Sequence, residues 1–337
     1  MPCLPAEWEH QTGVLISWPT KSTDWRSNLP DAEATYLELT KLIAQHSHAY
    51  ICCYDFDTRH HVQQLCNDAN IPTEHYDLFT IPYDDTWTRD YGPISLRREN
   101  EIVWLNFEFN AWGGKYAHHK DRQLTQSLHQ HFSDKRVLVN IDFVLEGGSI
   151  DSDGKGTVLT TSQCLLDPAR NPAVSKQQIG DRLKASLGVQ RILWLDHGHL
   201  QGDDTDAHID TLARFCSPGT IAYVQCTDPA DPHFKSLSAM KMQLKTFKQM
   251  NGQAYRLIPL PLPNACFNTK GQQLPASYAN FLIINEAVLV PVYGVDTDSL
   301  ALAQLQKGFP GHSVIPVQCR SLIEQFGSLH CITMQLL

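Results

Sequence analysis

The residues of this sequence that could carry out chemistry fall into four short clusters, of which the first two come directly after apolar runs. The cluster Asp84–Pro93 places three acids, a Trp and an Arg within seven residues, and on composition it is more typical of a solvated turn than of a site. The cluster Leu145–Ser149 has Glu146 followed by two glycines. A carboxylate there stands where the backbone could approach a ligand closely, although ordinary loop glycines explain the pattern equally well.

The third and fourth clusters contain the residue types of acid–base and nucleophilic catalysis. Gly202–Asp210 has four acids and His208. It is compatible with a metal site, with a His–carboxylate acid–base unit if His208 and Asp210 share one face of an extended segment, or with a solvated loop. In Phe326–Met334, Cys331 begins an apolar segment that predicts a strand. A lone cysteine in such a place is more often a buried structural thiol than a nucleophile.

Composition limits the classes of protein that these clusters can belong to. The chain has 337 residues with 27 Lys and Arg against 36 Asp and Glu, a formal net charge of -9. This balance argues against a nucleic-acid partner and is compatible with a cationic substrate. The sequence has neither an apolar run long enough to span a membrane nor a secretory signal, and its ten cysteines form no Cys-x-x-Cys pair. We therefore expect a soluble cytoplasmic protein with reduced thiols.

Hydrophobic spacing predicts an alternation of strands and helices, and hence an α/β fold. Five segments have helical spacing: Asp31–Gln45, Asp121–Phe132, Ser175–Leu187, Lys235–Met250 and Asp298–Lys307. Nine runs read as strands: Gly13–Trp18, Ala49–Tyr54, Ile102–Phe107, Val137–Val144, Thr157–Thr161, Arg191–Leu195, Thr220–Cys226, Phe281–Val292 and His330–Gln335. The candidate helix caps are Asp31, Asp121, Ser175 and Asp298, and Asp153-Gly154 reads as a hairpin turn. The last three helices start about 60 residues apart, which suggests about five repeated units.

Taken in order, the clusters and the segments between them resemble the agmatine deiminase family, which is Porphyromonas-type peptidylarginine deiminase-like and lies within the guanidine-modifying pentein superfamily. The similarity covers nearly the whole chain. The motifs that carry it are Met1–Glu9, Ser17–Pro19, Trp87–Pro93, Phe109–Tyr116, Glu146–Gly148, Cys164–Pro172, Gly202–Asp210, Ser277–Phe281, Val290–Gly294 and His330–Thr333. Two departures concern the pocket: Ala207 stands where the family usually has Gly before its catalytic His, and Phe326-Gly327-Ser328 replaces a richer Gly-Gly-Asn segment.

The resemblance implies a fold and a set of residue roles. The fold is a five-bladed α/β propeller (the pentein fold) of strand–strand–helix–strand units around a pseudo-fivefold axis, here one catalytic domain over residues 1–337. The implied roles are Cys331 as nucleophile, His208 as general acid and base, Glu146 beside His208, Asp90 and Asp210 as a clamp on the guanidinium, and Trp87 as a wall along the substrate. No metal and no cofactor are implied.

The resemblance also implies the reaction. Agmatine would be hydrolysed to N-carbamoylputrescine and ammonia through a covalent Cys331 intermediate, a step of polyamine metabolism leading to putrescine. A deiminase of arginine or peptidyl arginine, or an amidinotransferase, is the alternative, and a substrate carboxylate would then need a cation, for which Lys115 and Arg170 are candidates. A non-catalytic guanidine-binding protein is a further hypothesis, and a metal hydrolase using Asp203, Asp204, Asp206 and His208 is the least favoured. The family often forms homodimers, so a homodimer is expected from the resemblance alone.

Overall fold

Six helices of nine or more residues account for most of the helical structure in a computed structural model that describes residues 3–132 and 135–337. Met1 and Pro2, the start of the first motif quoted above, lie outside the described residues. The longer helices are Leu29–His46, Phe56–Asp68, Asp121–His129, Lys176–Leu187, Phe234–Thr246 and Asp298–Gly308. Short helical turns occupy Asp24–Ser27, Thr73–His75, Thr88–Tyr91, Ala111–Gly114, Gly147–Ser149, Ser162–Leu165, Ile209–Thr211 and Arg320–Ile323.

The strands form five sheets of three or four strands within the described part of the chain, together with one two-stranded hairpin. In spatial order, the sheets are Met334–Leu336, Gly13–Ser17, Ala49–Cys53 and Tyr76–Thr80; Ile94–Arg98, Glu101–Glu108 and Arg136–Val144; Ile150–Ser152, Thr157–Thr161 and Arg191–Leu195; Ala213–Ser217, Thr220–Gln225 and Arg256–Pro261; and Leu282–Ile284, Ala287–Val292 and Ser313–Gln318. The hairpin pairs Cys266–Phe267 with Gln273–Leu274.

All five sheets repeat one connection pattern. In the third, Ile150–Ser152 runs antiparallel to Thr157–Thr161, which is parallel to Arg191–Leu195 after the helix Lys176–Leu187. The first sheet is completed by both ends of the chain, because Met334–Leu336 pairs antiparallel with Gly13–Ser17. The expected α/β class and the five strand–strand–helix–strand units are confirmed.

Local sequence chemistry explains where the best-defined elements begin and end. The Ser175 hydroxyl accepts from the Gln178 amide and the Gln178 side chain accepts in return, so Lys176–Leu187 begins with a complete capping box. Gly188 ends that helix at a φ of 66°, a left-handed angle that glycine adopts without penalty. Gly154, at a φ of 65°, makes the turn between the two strands that were expected to form a hairpin. Both predictions are confirmed.

Several sequence predictions were wrong in their details. Asp31, Asp121 and Asp298 are not caps: each lies within the first turn of its helix. The run Phe281–Val292 is two strands, because the chain reverses at Asn285, which has a φ of 32°. The last strand begins only at Met334, so Cys331 lies in the turn that precedes it.

The helix Phe56–Asp68 was missed altogether. Only Val62 and Cys66 of this helix are buried, so its sequence has almost no apolar face to reveal it. Five strands that lie in the sheets were missed as well: Tyr76–Thr80, Ile94–Arg98, Ala213–Ser217, Arg256–Pro261 and Ser313–Gln318.

The buried apolar side chains of the five sheets and their helices belong to one continuous core, which extends from Leu4 to Leu336. Among the described helices, none is both long and apolar enough to cross a membrane.

Candidate active site

The four chemical clusters are brought together by short turns at the ends of strands. Asp90 lies in the one-turn helix Thr88–Tyr91, and Glu146 follows the strand that ends at Val144. The Thr88 hydroxyl donates to the carbonyl of Ile332 at 2.8 Å. The amide of Arg89 donates to the carbonyl of Cys331 at 3.2 Å. These bonds attach the first cluster to the fourth across more than 240 residues of sequence.

Three of the expected site residues converge on the backbone of Gly148. A β-carbon added to Gly148 would lie 2.7 Å from Nδ1 of His208, 2.8 Å from Oδ1 of Asp90 and 3.1 Å from Oδ2 of Asp210. The amide of Gly148 also donates to Asp90 Oδ1 at 2.9 Å. The glycine of the second cluster is therefore required for the close approach of groups from three separate segments, and the solvated-turn interpretation of the first cluster is wrong.

Cys331 lies at a cavity of about 180 Å³ whose lining includes Asp90 and Trp87. Its side chain is buried, and its thiol donates to Oδ1 of Asn280 at 3.4 Å. Burial raises the pKa of the Cys331 thiol well above its ordinary value, and the nearby carboxylates Asp210 and Asp90 raise it further. The free protein therefore holds this side chain as a thiol.

His208 lies between two carboxylates and is also buried. Its Nδ1 is 3.7 Å from Oδ1 of Asp90 and its Nε2 is 3.7 Å from Oε2 of Glu146, distances of ion pairs rather than of hydrogen bonds. Burial alone lowers the pKa of His208, but Asp90, Cys164 and Glu146 raise it well above its ordinary value. The imidazole is therefore protonated and can serve as an acid.

Glu146 is held mainly by Arg170 rather than by His208. The Nε of Arg170 donates to both carboxylate oxygens of Glu146, at 3.0 and 2.9 Å, and both side chains are fully buried. Burial raises the pKa of Glu146, but His208 and Arg170 together lower it below its ordinary value. Arg170 was considered as a partner for a substrate carboxylate, and that prediction is wrong because its guanidinium is already occupied by acids of the protein.

One group of metal-ligand atoms occurs among the described residues, comprising Glu146, Cys164 and His208 within 4.8 Å of one another. Arg170 already supplies the positive charge at this carboxylate, so a cation there would be repelled. The acids of the metal-hydrolase hypothesis do not join the group. Asp203 accepts hydrogen bonds from the amides of Thr205 and Ala207. Asp206 forms an ion pair with Arg170 at 2.8 Å. The geometry therefore gives no support to that hypothesis.

The two expected clamp acids differ in their electrostatics. Burial raises the pKa of Asp90 to about 6, partly offset by His208 and reinforced by Asp210. Burial also raises the pKa of Asp210, but its hydrogen bond with His330 lowers it below its ordinary value. The Oδ1 atom of Asp210 is buried and has no hydrogen-bond partner among residues 3–132 and 135–337. A buried oxygen without a partner is uncommon in a folded protein.

The outer part of the cavity is acidic. Asp24, Asp85 and Asp204 line it together with Tyr116, and no Lys or Arg of the described chain is among its lining residues. Burial raises the pKa of Asp85 to about 6 and raises that of Asp204 above its ordinary value. A primary ammonium group would suit this surface, whereas a carboxylate would be repelled.

Sequence reasoning missed four residues that shape the site. Trp112 lines the cavity and donates from its indole nitrogen to Oδ2 of Asp90 at 3.0 Å. Asn280 accepts from Cys331, and Glu7 and His330 form ion pairs behind Asp210. All four lie inside the quoted motifs, so the signal was present, but spacing alone did not show which motif residues face the cavity.

Five strand–strand–helix–strand units direct a thiol and several carboxylates to one small acidic cavity, and an imidazole lies beside Asp90, one of those carboxylates. This combination defines the class of guanidine-modifying α/β enzymes. Residues 3–336 match the family model described as Porphyromonas-type peptidyl-arginine deiminase, and the chain belongs to this family.

Solved structures and a plant relative are similar over nearly the whole chain. The structure described as the putative arginine deiminase from Porphyromonas gingivalis is 44% identical, with a TM-score of 0.92 over 99% of this chain and 98% of that one. An agmatine deiminase of C. jejuni, a cysteine-to-serine variant with substrate bound, is 34% identical with a TM-score of 0.92, covering 100% of this chain and 96% of that one. The agmatine deiminase of Medicago truncatula is 31% identical over 98% of this chain and 95% of its own length.

Proposed function

We propose that this protein is a cysteine-dependent agmatine deiminase that hydrolyses agmatine to N-carbamoylputrescine and ammonia. The observation that carries the proposal is the single cavity that has Cys331 and Asp90 among its lining residues and three further acids, Asp24, Asp85 and Asp204. Agmatine has a cation at each end, so both ends meet carboxylates.

The charge of the cavity also distinguishes agmatine from arginine. Free arginine carries a carboxylate near its second nitrogen, and binding it would require a cation of the protein. Lys115, the remaining candidate for this role, donates to the carbonyl of Asp204 at 2.5 Å and pairs with Asp206 at 3.0 Å. Overall identity does not decide the question, because the chain is more similar to the P. gingivalis structure than to the C. jejuni one. The acids that line the cavity therefore carry the argument for agmatine.

The first half of the reaction uses the thiol and the imidazolium as the free protein holds them. A bound guanidinium, placed between Asp90 and Asp210, favours the thiolate of Cys331 because it adds positive charge next to the sulfur. The thiol proton leaves to solvent, and the sulfur forms a bond to the guanidinium carbon. The imidazolium of His208 gives its proton to one amino group as the carbon–nitrogen bond breaks. Ammonia departs, and an S-alkylthiouronium remains on Cys331.

The second half restores the enzyme. Neutral His208 takes a proton from water while the oxygen attacks the thiouronium carbon. The carbon–sulfur bond then breaks and returns its electron pair to Cys331, and the second proton of the water returns to the sulfur through solvent. The products are the ureido group of N-carbamoylputrescine and a reset thiol–imidazolium pair. Glu146 stabilises the charged form of His208 throughout, and Trp87 forms a wall of the cavity along the substrate.

The chain is proposed to act as one catalytic domain, which its continuous core supports. We also propose a cytoplasmic location, because the ten free cysteines favour a reducing compartment. The homodimer expected from the resemblance is testable by light scattering.

The proposal is tested by measuring ammonia and ureido product from agmatine, arginine, a peptidyl arginine and butylguanidine. Butylguanidine has no terminal amine, so we expect agmatine to have the highest kcat/KM of the four. Asp204→Asn should reduce this preference for agmatine over butylguanidine at least fivefold. Faster turnover of arginine or peptidyl arginine would refute the choice of substrate, and no turnover of any guanidine would favour the non-catalytic binding hypothesis.

Cys331→Ala and Cys164→Ala distinguish the buried thiol at the cavity from the buried thiol beside His208. We expect the first to abolish turnover and the second to retain at least a tenth of it, because Cys331 lines the cavity and Cys164 does not. The reverse outcome would make Cys164 the nucleophile.

A further inference from the structure

One wall of the cavity connects Asp90 with Asp204 through two aromatic side chains. The indole nitrogen of Trp112 donates to Oδ2 of Asp90 at 3.0 Å, and the hydroxyl of Tyr116 donates to Oδ2 of Asp204 at 2.9 Å. The two rings meet edge to face, with their centroids 5.7 Å apart. All four residues line the cavity. They therefore form a continuous chain of contacts from one carboxylate to the other.

The backbone that carries the first ring makes an unusual turn at residues 111–114. All four residues have positive φ angles: 52° at Ala111, 56° at Trp112, 91° at Gly113 and 84° at Gly114. A bulky residue such as Trp rarely adopts this left-handed conformation, which persists only where neighbouring contacts hold it in place. Such contacts should therefore be present on both sides of the turn.

The turn is attached to other segments at both ends. Before it, the side-chain nitrogen of Asn110 donates to the carbonyl of Ala169 at 2.9 Å. After it, Nζ of Lys115 donates to the carbonyl of Asp204 at 2.5 Å and to Oδ2 of Asp206 at 3.0 Å. The turn and the loop that contains Asp204 are therefore fixed relative to each other.

The hydrogen bonds orient each carboxylate and leave it able to accept others. Oδ1 of Asp90 accepts from the amide of Gly148 at 2.9 Å, so with Trp112 on Oδ2 both oxygens of this acid are held. Tyr116 holds one oxygen of Asp204 in the same way. Each carboxylate oxygen has two lone pairs, so a cationic ligand can still bind to either acid.

We propose that Trp112 and Tyr116 are specificity-determining residues that set the distance between Asp90 and Asp204, so that the enzyme selects guanidino-amines by the number of methylenes between their two cationic ends. The inference rests on the proposed function, because it takes Asp90 as the partner of the guanidinium and Asp204 as the partner of the amine. A ligand with a cation at each end meets both carboxylates only when its chain has the matching length. Because the two acids are held by one fixed wall, the site cannot adjust to a longer or shorter chain without breaking a contact.

Chain-length preference is measured with guanidino-amines that have three, four and five methylenes, of which agmatine is the four-methylene member. We expect wild-type kcat/KM to be about 10-fold higher for agmatine than for either neighbour, because one methylene more or less in a fitted pocket has at least about that effect. Wild-type values within threefold of one another across the series would refute a fixed spacing.

Tyr116→Phe keeps the ring and its contact with Trp112 but removes the hydroxyl that holds Asp204. We expect kcat/KM for agmatine to fall about 10-fold, mainly through KM, because a hydrogen bond to a charged group contributes about that much. The preference for agmatine over the five-methylene homologue should fall at least threefold. Butylguanidine has no amine, so its kcat/KM should fall much less. An equal fall for every guanidine, with the length preference unchanged, would indicate a merely structural role and overturn the proposal.

Trp112→Phe tests the guanidinium end of the wall. It removes the donor to Asp90, so kcat/KM should fall about 10-fold for butylguanidine as well as for agmatine, because both carry the guanidinium. The length preference should fall too, because the spacing between the acids is no longer fixed. Unchanged turnover of butylguanidine would refute the assigned role of Trp112.

Tyr223→Phe is the matched control. Its hydroxyl also donates to a side-chain oxygen, that of Gln225 at 2.8 Å, but Tyr223 is not among the residues that line the cavity. This variant should change neither kcat/KM for agmatine nor the length preference.

The outcomes separate this inference from the proposed function. A wild-type enzyme inactive on every member of the series would refute the proposed function. An active enzyme that prefers agmatine, and keeps that preference undiminished in both Tyr116→Phe and Trp112→Phe, would refute the spacing role alone.

Discussion

The sharpest prediction concerns Gly148, at the point where the segments that we propose to be catalytic meet. Adding a single methyl group, in Gly148→Ala, would place a carbon 2.7 Å from Nδ1 of His208 and 2.8 Å from Oδ1 of Asp90. Contacts under 3 Å force the neighbours to move, and overpacking of this kind costs about 1–3 kcal/mol. The atoms that must move are those of the site. Because displacement of catalytic groups by about 1 Å lowers rates about 100-fold, kcat/KM should fall by about that factor, equivalent to about 2.7 kcal/mol.

The assay is steady-state formation of ureido product from agmatine, with circular dichroism and a melting curve to establish that the variant is folded. Two glycine variants give the comparison. In Gly147→Ala the new carbon would meet the carbonyl oxygen of Arg89 at 2.1 Å, and backbone cannot yield, so this variant should fail to fold stably. In Gly180→Ala, within the helix Lys176–Leu187, the nearest atom is 4.0 Å away, so stability should rise by about 0.5–1 kcal/mol with activity unchanged. A folded Gly148→Ala enzyme within threefold of wild-type activity would refute the convergence of the site on this glycine.

Three further predictions follow from particular residues. Because the pKa of Asp90 is raised to about 6, its carboxylate is lost below that pH, and kcat/KM for agmatine measured from pH 4.5 to 8 should fall about tenfold per unit below pH 6; a flat profile would contradict this role. Arg170→Met leaves Glu146 buried without its cation, so denaturant unfolding should show a loss of about 3–5 kcal/mol, and Glu146→Gln in the same chain should recover part of it. Ser175→Ala removes a helix cap remote from the cavity and should cost about 1 kcal/mol of stability with no change in kcat, whereas a change in kcat would contradict that separation.

The sequence predicted local structure best where all the signals for an element lie within that element. The helix Lys176–Leu187 has an apolar face, a capping box and a terminal glycine, and its ends were predicted within one residue. Short half-buried strands such as Tyr76–Thr80 were missed. Such a segment is stabilised as a strand by its pairing and packing in a sheet, which its own sequence does not show.

The candidate site shows the same division. Residue types and family motifs indicated Cys331, His208, Glu146, Asp90 and Asp210, and the structure brings them together. Arg170 was a wrong candidate for the partner of a substrate carboxylate under the arginine alternative, because the sequence does not show that Glu146, 24 residues earlier, already occupies its guanidinium. Long-range ion pairing is decided by the fold.

By itself, the sequence determined the α/β class, the repeated units and the chemical groups available, because periodicity, capping and composition act over short stretches of chain. Only the tertiary structure decided the charge of each group. Glu7 lies 323 residues from His330, and Asp210 lies 120 residues from it, yet their carboxylates meet the two sides of one ring. Burial removes the water that would otherwise screen them, so protonation depends on neighbours that the fold alone supplies.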